Sequence, residues 1–141
     1  MYLVDSNIWL ERLLSQSKAN EVEQFLKEIP LNFIHLSSFT VYPVGIILTK
    51  KKNHSDYSDF IDDLFLIGKA TIQIPTELEL VKICELSQNT GLDFDDSFQA
   101  FISQTRNLKL VSFDSDFSAK GIAVLSPLQA ITDFQNTILK P

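Results

Sequence analysis

Short apolar runs alternate with helix-periodic segments along most of this sequence. The first run, at residues 2–4, stops at the polar cluster Asp5-Ser6-Asn7, and a helical pattern of apolar residues follows it. Further runs of strand character lie at residues 32–36, 71–74, 108–111 and 122–125. Strands that are separated by helices pair in parallel and need helices over both faces. We therefore predict an α/β fold with a mainly parallel central sheet between two helical layers.

The segments between these runs have apolar residues at intervals of three and four, which predicts amphipathic helices. Pro43 falls within the first turns of one of them, where proline is tolerated. Leu78, Val81 and Cys84 recur at helical spacing, so we expect Cys84 to be a small core residue. The helices are expected at residues 20–28, 38–52, 57–65, 75–91, from 93 onward, and after Pro127.

Composition limits the class of protein. A chain of 141 residues with 45% apolar content suits one domain over residues 1–141, which can bury roughly two thirds of its unfolded surface. No window approaches the ~18 uninterrupted apolar residues of a membrane span, and the first residues do not resemble a secretory signal. We expect a soluble, cytoplasmic protein that makes no contact with a membrane. A single cysteine excludes an intramolecular disulfide and a thiolate-rich zinc site.

The charge pattern bears on nucleic-acid binding. The formal net charge of −6 argues against broad electrostatic capture of nucleic acid, because phosphate neutralisation normally needs a basic surface. Carboxylates that hold divalent cations reverse their local charge, however. Lys50, Lys51 and Lys52 form a basic block that is a weak candidate for RNA contact. The alternative is a solvated helix end, favoured by the helix dipole.

Three aspartates stand where predicted strands end or a predicted helix begins. Asp5 follows the first strand, Asp114 follows the strand at 108–111, and Asp96 lies in the first turn of a helix. The carboxyl ends of parallel strands meet at one edge of a sheet, so we expect these three carboxylates to face one crevice. Oxygen ligands of this type suit Mg²⁺ or Mn²⁺. Aspartates also cap helices and end strands without any metal, so each one separately has a structural alternative.

The predicted crevice suggests hydrolysis of a phosphodiester. One divalent cation can lower the pKa of a bound water, and a second, roughly 3.5 to 4 Å away, can stabilise the leaving oxygen. Asp93, Asp95 and Asp116 add negative charge nearby, which is costly unless a cation compensates.

Three segments resemble one known family. They read Leu-Val-Asp-Ser-Asn at residues 3–7, Gly-Leu-Asp-Phe-Asp-Asp-Ser-Phe at 91–98, and Leu-Val-Ser-Phe-Asp-Ser-Asp-Phe at 110–117. Their order and spacing resemble PIN-domain proteins, especially toxins of the VapC type. The resemblance covers nearly the whole chain.

The resemblance implies a three-layer α/β/α fold and a Mg²⁺- or Mn²⁺-dependent endoribonuclease directed at structured RNA. It implies a cognate antitoxin protein as partner and a homodimer. Asp5, Asp96 and Asp114 match the metal and catalytic positions, and Asp116 matches an accessory acidic position. Ser112 matches a small hydroxyl residue that orients a ligand or a water. Asn7 is a candidate for the same task, with local helix capping as its alternative.

One position departs from the family pattern. Pro43 stands about where the resemblance leads us to expect a glutamate, and proline has no ligand atom. Glu11 is a conceivable substitute, but it lies roughly 9 Å along a helix from Asp5 and suits an exposed face better. Asp93, Asp95 or Asp116 can compensate instead.

Two rival functions follow from this departure and from the motif itself. The first is a catalytically degenerate PIN-like module that binds protein through its acidic cleft or a Phe-rich surface. The second is a hydrolase with an aspartyl nucleophile. We favour that one less, because the residue two positions after Asp5 is Asn7 and not a second carboxylate.

Overall fold

Five parallel strands form the central sheet in a computed structural model that describes residues 1–139. Their order across the sheet is β3-β2-β1-β4-β5. Leu3 lies opposite His35 of one neighbouring strand and Leu110 of the other, and the remaining pairs are also parallel. The strands are β1 (Tyr2–Val4), β2 (Ile34–Ser37), β3 (Thr71–Gln73), β4 (Lys109–Val111) and β5 (Val124–Leu125). The predicted parallel sheet is confirmed.

Helices connect the strands and cover the sheet. They are α1 (Ser6–Leu13), α2 (Ala19–Glu28), α3 (Ser38–Lys50), α4 (His54–Ile61), α5 (Glu77–Thr90), α6 (Phe94–Thr105), α7 (Asp116–Ala119) and α8 (Pro127–Ile138). Local sequence explains several of their starts. Thr76 and Ser126 each form a reciprocal capping box with the residue three positions later, which satisfies otherwise free N–H groups. Within residues 1–139, no helix combines the length and the apolar character needed to cross a bilayer.

The core consists of two apolar clusters, one on each face of the sheet. Successive residues of a strand point to opposite faces, so Tyr2 and Val4 join one cluster while Leu3 joins the other. Helices α1, α2, α3, α4 and α8 close the first cluster, and α5, α6 and α7 close the second. This arrangement confirms the predicted three-layer α/β/α fold.

The strand order explains where a site can form. From β1 the chain builds β2 and β3 to one side, and it later builds β4 and β5 to the other. The direction in which successive strands are added therefore reverses between β1 and β4. At this topological switch point a crevice opens beyond the carboxyl ends of the two strands. The backbone N–H of Asp5 continues their ladder by donating to the carbonyl of Val111 at 3.0 Å. Residues that follow Val4 and Val111 are thereby brought together.

The last four predicted strands are each shorter in the structure, which also contains elements that the sequence did not predict. Residues 31–33 form a 3₁₀ turn, because the Phe33 N–H donates to the carbonyl of Pro30 and not to a neighbouring strand. Helix α7 was not predicted, and the Ile122 N–H caps it by donating to the Phe117 carbonyl. Because Ile122 makes this bond, it does not pair with β4, and β5 starts only at Val124. Helix α4 continues as the π-helical stretch Asp62–Ile67.

The expectation that Cys84 is a core residue is wrong. Cys84 is exposed, and Leu78 and Val81 are 77% and 57% exposed. Helix α5 has apolar residues around much of its circumference, so the spacing of one set did not identify the buried face. The buried residue is the preceding one, Ile83, which packs into the cluster that α6 also closes.

Candidate functional site

Asp5 lies at the centre of the crevice and is almost fully buried, at 6% exposure. Its Oδ1 accepts hydrogen bonds from the Ser6 N–H at 2.7 Å and from Gln99 Nε2 at 3.2 Å. Its Oδ2 accepts from the Ser112 hydroxyl at 2.8 Å and from Asn7 Nδ2 at 3.2 Å. These four donors fix the orientation of the Asp5 carboxylate. The bond from Ser6 also makes Asp5 the N-cap of α1.

Asn7 and Ser112 connect Asp5 to the loop that carries Asp114. The Ser112 hydroxyl oxygen accepts from Asn7 Nδ2 at 2.9 Å and from the Asp114 N–H at 3.0 Å. Asn7 Oδ1 accepts from the Phe113 N–H at 3.2 Å, which fixes the same loop a second time. The structure thus brings Asp5 and Asp114 together through the two residues predicted to orient ligands at the site.

Asp116 joins this group only at its edge. Its backbone N–H donates to Asp114 Oδ1 at 2.8 Å, and its own side chain is exposed at the start of α7. Asp114 therefore uses one carboxylate oxygen to stabilise the first turn of that helix.

Asp96 approaches the same crevice from the first turn of α6 and is half-buried. Burial, together with the charges of Asp95, Asp114, Asp5 and Asp93, raises the pKa of Asp96 from 3.8 to about 7. Burial, partly opposed by hydrogen bonds, also raises the pKa of Asp5. The charge of Asp114 contributes to the raised pKa of both Asp5 and Asp96, so the three carboxylates lie near one another.

Gln99 and Thr40 belong to the site and were missed from the sequence. Gln99 lies one turn after Asp96 on α6 and is 2% exposed, and its Nε2 also donates to Thr40 Oγ1 at 2.8 Å. Thr40 is fully buried on α3. The only available signal was a polar residue between Phe98 and Ala100 in an apolar stretch, which by itself does not reveal its partners.

The other candidate residues lie elsewhere. Helix α3 leaves the carboxyl end of β2 and runs back along the sheet for 13 residues, or about 20 Å. The lysine block therefore lies toward the amino ends of the strands. The structure does not bring Lys50, Lys51 and Lys52 to the crevice. Glu11 accepts a hydrogen bond from the Lys18 N–H and takes no part in the Asp5 network. Pro43 lies within α3, a helix without Asp or Glu.

The donor set suits a hard divalent cation in type. Every candidate ligand is a carboxylate, amide or hydroxyl oxygen, as Mg²⁺ and Mn²⁺ prefer. The mutual destabilisation of the ionised carboxylates is also what a cation would relieve. Nevertheless, residues 1–139 contain no group of three or more His, Cys, Asp or Glu side chains placed to hold a metal ion. One or two carboxylates with several waters are enough for Mg²⁺, so the donor types present fit such a cation.

Comparison with known proteins identifies the family. The model of the PIN domain matches residues 2–123. The chain belongs to the PIN-domain family. This finding confirms the resemblance noted in the sequence. No curated protein matches the chain in sequence.

Solved structures show the same fold. FitAcB from Neisseria gonorrhoeae is 25% identical, with a TM-score of 0.69 over 91% of this chain and 99% of that one. A toxin–antitoxin complex from Klebsiella pneumoniae gives 22% identity and a TM-score of 0.70, over 90% of this chain and 98% of that one. VapC20 of Mycobacterium tuberculosis, a sarcin-ricin loop cleaving toxin, gives 15% identity and a TM-score of 0.76, over 90% and 100%. VapC toxins are thus among the structural neighbours of this chain.

Proposed function

We propose that this PIN-domain protein is a Mg²⁺- or Mn²⁺-dependent endoribonuclease that hydrolyses phosphodiester bonds in structured RNA, as the toxin of a toxin–antitoxin pair. PIN domains are generally nucleases. The observation that carries the proposal is the position of Asp5, Asp96 and Asp114. They share one crevice at the topological switch point between β1 and β4. The raised pKa values of Asp5 and Asp96 support it further, because such perturbation is typical of functional sites.

The three aspartates would hold the cation, with Asp116 at the rim. Asn7 and Ser112 keep Asp5 and the Asp114 loop at fixed positions through their hydrogen bonds. When bound, the cation would neutralise charge on the phosphodiester and lower the pKa of the attacking water. With a pKa of about 7, Asp96 is partly protonated at neutral pH without a cation, and it would release its proton as the crevice becomes less negative.

A positive side chain lies beside the crevice although the protein is acidic overall. Lys18 Nζ lies 4.3 Å from the centre of the Phe113 ring, and Phe113 precedes Asp114. This position suits contact with an RNA phosphate at the entrance of the site. Lys18 is therefore a better-placed phosphate contact than the lysine block at the end of α3.

A cognate antitoxin is the proposed protein partner. A groove of about 740 Å³ lies between α1, α2 and α4, with Trp9, Leu26 and Phe60 among its apolar residues. Asp56, Asp59, Asp63 and Glu23 also line the groove, together with Arg12 and Lys27. Trp9 Nε1 is buried without a hydrogen-bond partner among the described residues. An amphipathic antitoxin segment with basic side chains would complement this groove. Reversing the charge of an acidic residue of the groove should abolish the complex with the antitoxin, which tests the assignment.

The homodimer remains a prediction. Apolar side chains on α3 and α5 offer a surface for it, since Tyr42, Ile46, Leu78 and Val81 are 54–77% exposed.

The ribonuclease proposal is tested by cleavage of a structured RNA panel with Mg²⁺ or Mn²⁺. We expect Asp5→Asn and Asp96→Asn to lower the cleavage rate by more than about 100-fold, because each weakens electrostatic stabilisation worth several kcal/mol. Asp62→Asn, which removes an exposed carboxylate outside the crevice, is the matched control. Equal rates for the wild type and the two site variants would end the catalytic assignment.

A catalytically degenerate protein-binding module is the second candidate. One observation favours it. Helix α3 brings no carboxylate to the crevice, and the described carboxylates there do not form a group of three placed to hold a metal ion. A wild-type protein that cleaves no RNA in the panel with either ion, but still binds its antitoxin, would select this alternative.

A further inference from the structure

The amide of Gln99 is buried at the crevice with one of its two polar atoms unsatisfied. Nε2 donates to Asp5 Oδ1 at 3.2 Å and to Thr40 Oγ1 at 2.8 Å. Oε1 is buried and has no hydrogen-bond partner within residues 1–139. An unpaired buried amide oxygen is destabilising, so a strong interaction must hold the amide in this orientation.

Asp5 provides that interaction. The Thr40 hydroxyl can donate or accept a hydrogen bond, so it is compatible with either orientation of the amide. Asp5 accepts the hydrogen bonds from Ser6, Asn7, Ser112 and Gln99, and it therefore selects the orientation in which Nε2 faces it. Rotation of the amide by 180° would place Oε1 where Nε2 now lies, 3.2 Å from Asp5 Oδ1. Two such oxygens repel one another unless a cation binds both.

The spacing of these two oxygens matches adjacent ligands of a small divalent cation. Ligands at about 2.0–2.1 Å in an octahedral shell are about 3 Å apart, and slightly farther apart around Mn²⁺. In the rotated orientation the Thr40 hydroxyl would donate to Oε1, so the amide oxygen would remain supported. Asp96 and Gln99, three residues apart on α6, lie on neighbouring parts of one helix face.

We propose that Gln99 is a neutral cation ligand that acts with Asp5, and that its amide rotates from a donor orientation without the cation to an oxygen-ligand orientation with it. This inference rests on the cation-dependent function proposed above. Helix α3 contributes Thr40, which supports the Gln99 amide, in place of a carboxylate of its own. The site thereby gains an oxygen ligand without adding a negative charge to an already crowded acidic crevice.

Titration of the full chain with Mn²⁺ in the absence of RNA, measured by isothermal titration calorimetry, tests the assignment. Gln99→Leu removes the amide at similar volume, and we expect Mn²⁺ affinity to fall about 10- to 100-fold. Gln99→Glu retains an oxygen at the same position and adds a charge, so it should bind Mn²⁺ at least as tightly as the wild type. Gln104→Leu makes the same substitution at an exposed position of α6, and its affinity should be unchanged.

A second measurement follows the amide itself. The side-chain NH₂ resonances of Gln99 should shift when Mg²⁺ is added to ¹⁵N-labelled protein, while those of Gln104 stay in place. Unaltered Gln99 resonances at saturating Mg²⁺ would overturn the rotation, and equal Mn²⁺ affinity of the Gln99→Leu and Gln99→Glu variants would overturn the ligand role. A wild type that binds no Mn²⁺ would also overturn it.

These outcomes are separable from failure of the nuclease proposal. If the wild type cleaves RNA with Mn²⁺ and the Gln99 variants bind Mn²⁺ as it does, only the Gln99 assignment is lost. If Gln99 substitutions change Mn²⁺ affinity as expected but the wild type cleaves no RNA, the assignment holds and the nuclease function is lost.

Discussion

Replacing Asp96 by asparagine is expected to stabilise the cation-free protein at pH 8 and to leave its stability unchanged near pH 3, below both pKa values of Asp96. The folded protein raises the pKa of Asp96 from 3.8 to about 7, mainly by burial and then by neighbouring carboxylates. Between these values the folded state holds a proton that the unfolded state has released. Stability therefore falls as the pH rises through this window, and the loss is complete above the folded pKa.

The magnitude follows from the same two pKa values. At 1.36 kcal/mol per pH unit, the difference between 3.8 and about 7 corresponds to roughly 4 kcal/mol. Asp96 is only half-buried, so solvent screening reduces this value, and we expect about 1–2 kcal/mol. Asparagine has a similar shape and no charge, so the Asp96→Asn variant should not show this loss.

Urea denaturation in EDTA at pH 3 and pH 8 measures the effect. The free energy of unfolding of Asp96→Asn should exceed that of the wild type by about 1–2 kcal/mol at pH 8 and by less than about 0.5 kcal/mol at pH 3. Asp62→Asn controls for the general loss of one negative charge, since this aspartate is exposed. The same difference at both pH values, or none at either, would refute the claim that the crevice destabilises ionised Asp96.

Two other predictions test the groove and the corrected face of α5. Asp59→Lys should abolish co-purification with a basic antitoxin segment encoded beside the gene while leaving the melting temperature unchanged, and an intact complex would contradict the groove assignment. Cys84→Ser should change the free energy of unfolding by less than about 0.5 kcal/mol, because the side chain is exposed. The thiol of the native protein should react fully with Ellman's reagent, and protection from it would contradict the exposed position.

Much of the fold could be predicted from local signals. Apolar runs ending in polar clusters located the strands, and residues such as Ser126-Pro127 marked the start of a helix. What could not be predicted depends on tertiary contacts. The buried face of α5 is selected by packing against α6, in part through the ion pair of Arg106 with Glu79 at 2.7 Å. The π-helical continuation of α4 carries no recognisable sequence mark.

The candidate site shows the same division. The meeting of Asp5 with the Asp114 loop follows from parallel strand order, because both residues come directly after strands that prove to be neighbours. The contact between Gln99 and Thr40 joins residues 59 positions apart on different helices, and neither belongs to a motif. A polar residue inside an apolar helical stripe therefore indicates a buried hydrogen-bond network. The partners in that network can be identified only from the fold.

The central claim is that Asp5, Asp96 and Asp114 hold one divalent cation in the crevice between β1 and β4. A crystal structure of the protein with Mn²⁺, measured at a wavelength with strong manganese anomalous scattering, tests this claim most directly. We predict an anomalous peak within about 2.0–2.4 Å of carboxylate oxygens from at least two of these aspartates, with waters completing the shell. Full-occupancy Mn²⁺ elsewhere and none in the crevice, with the Asp5 hydrogen bonds intact, would contradict the account.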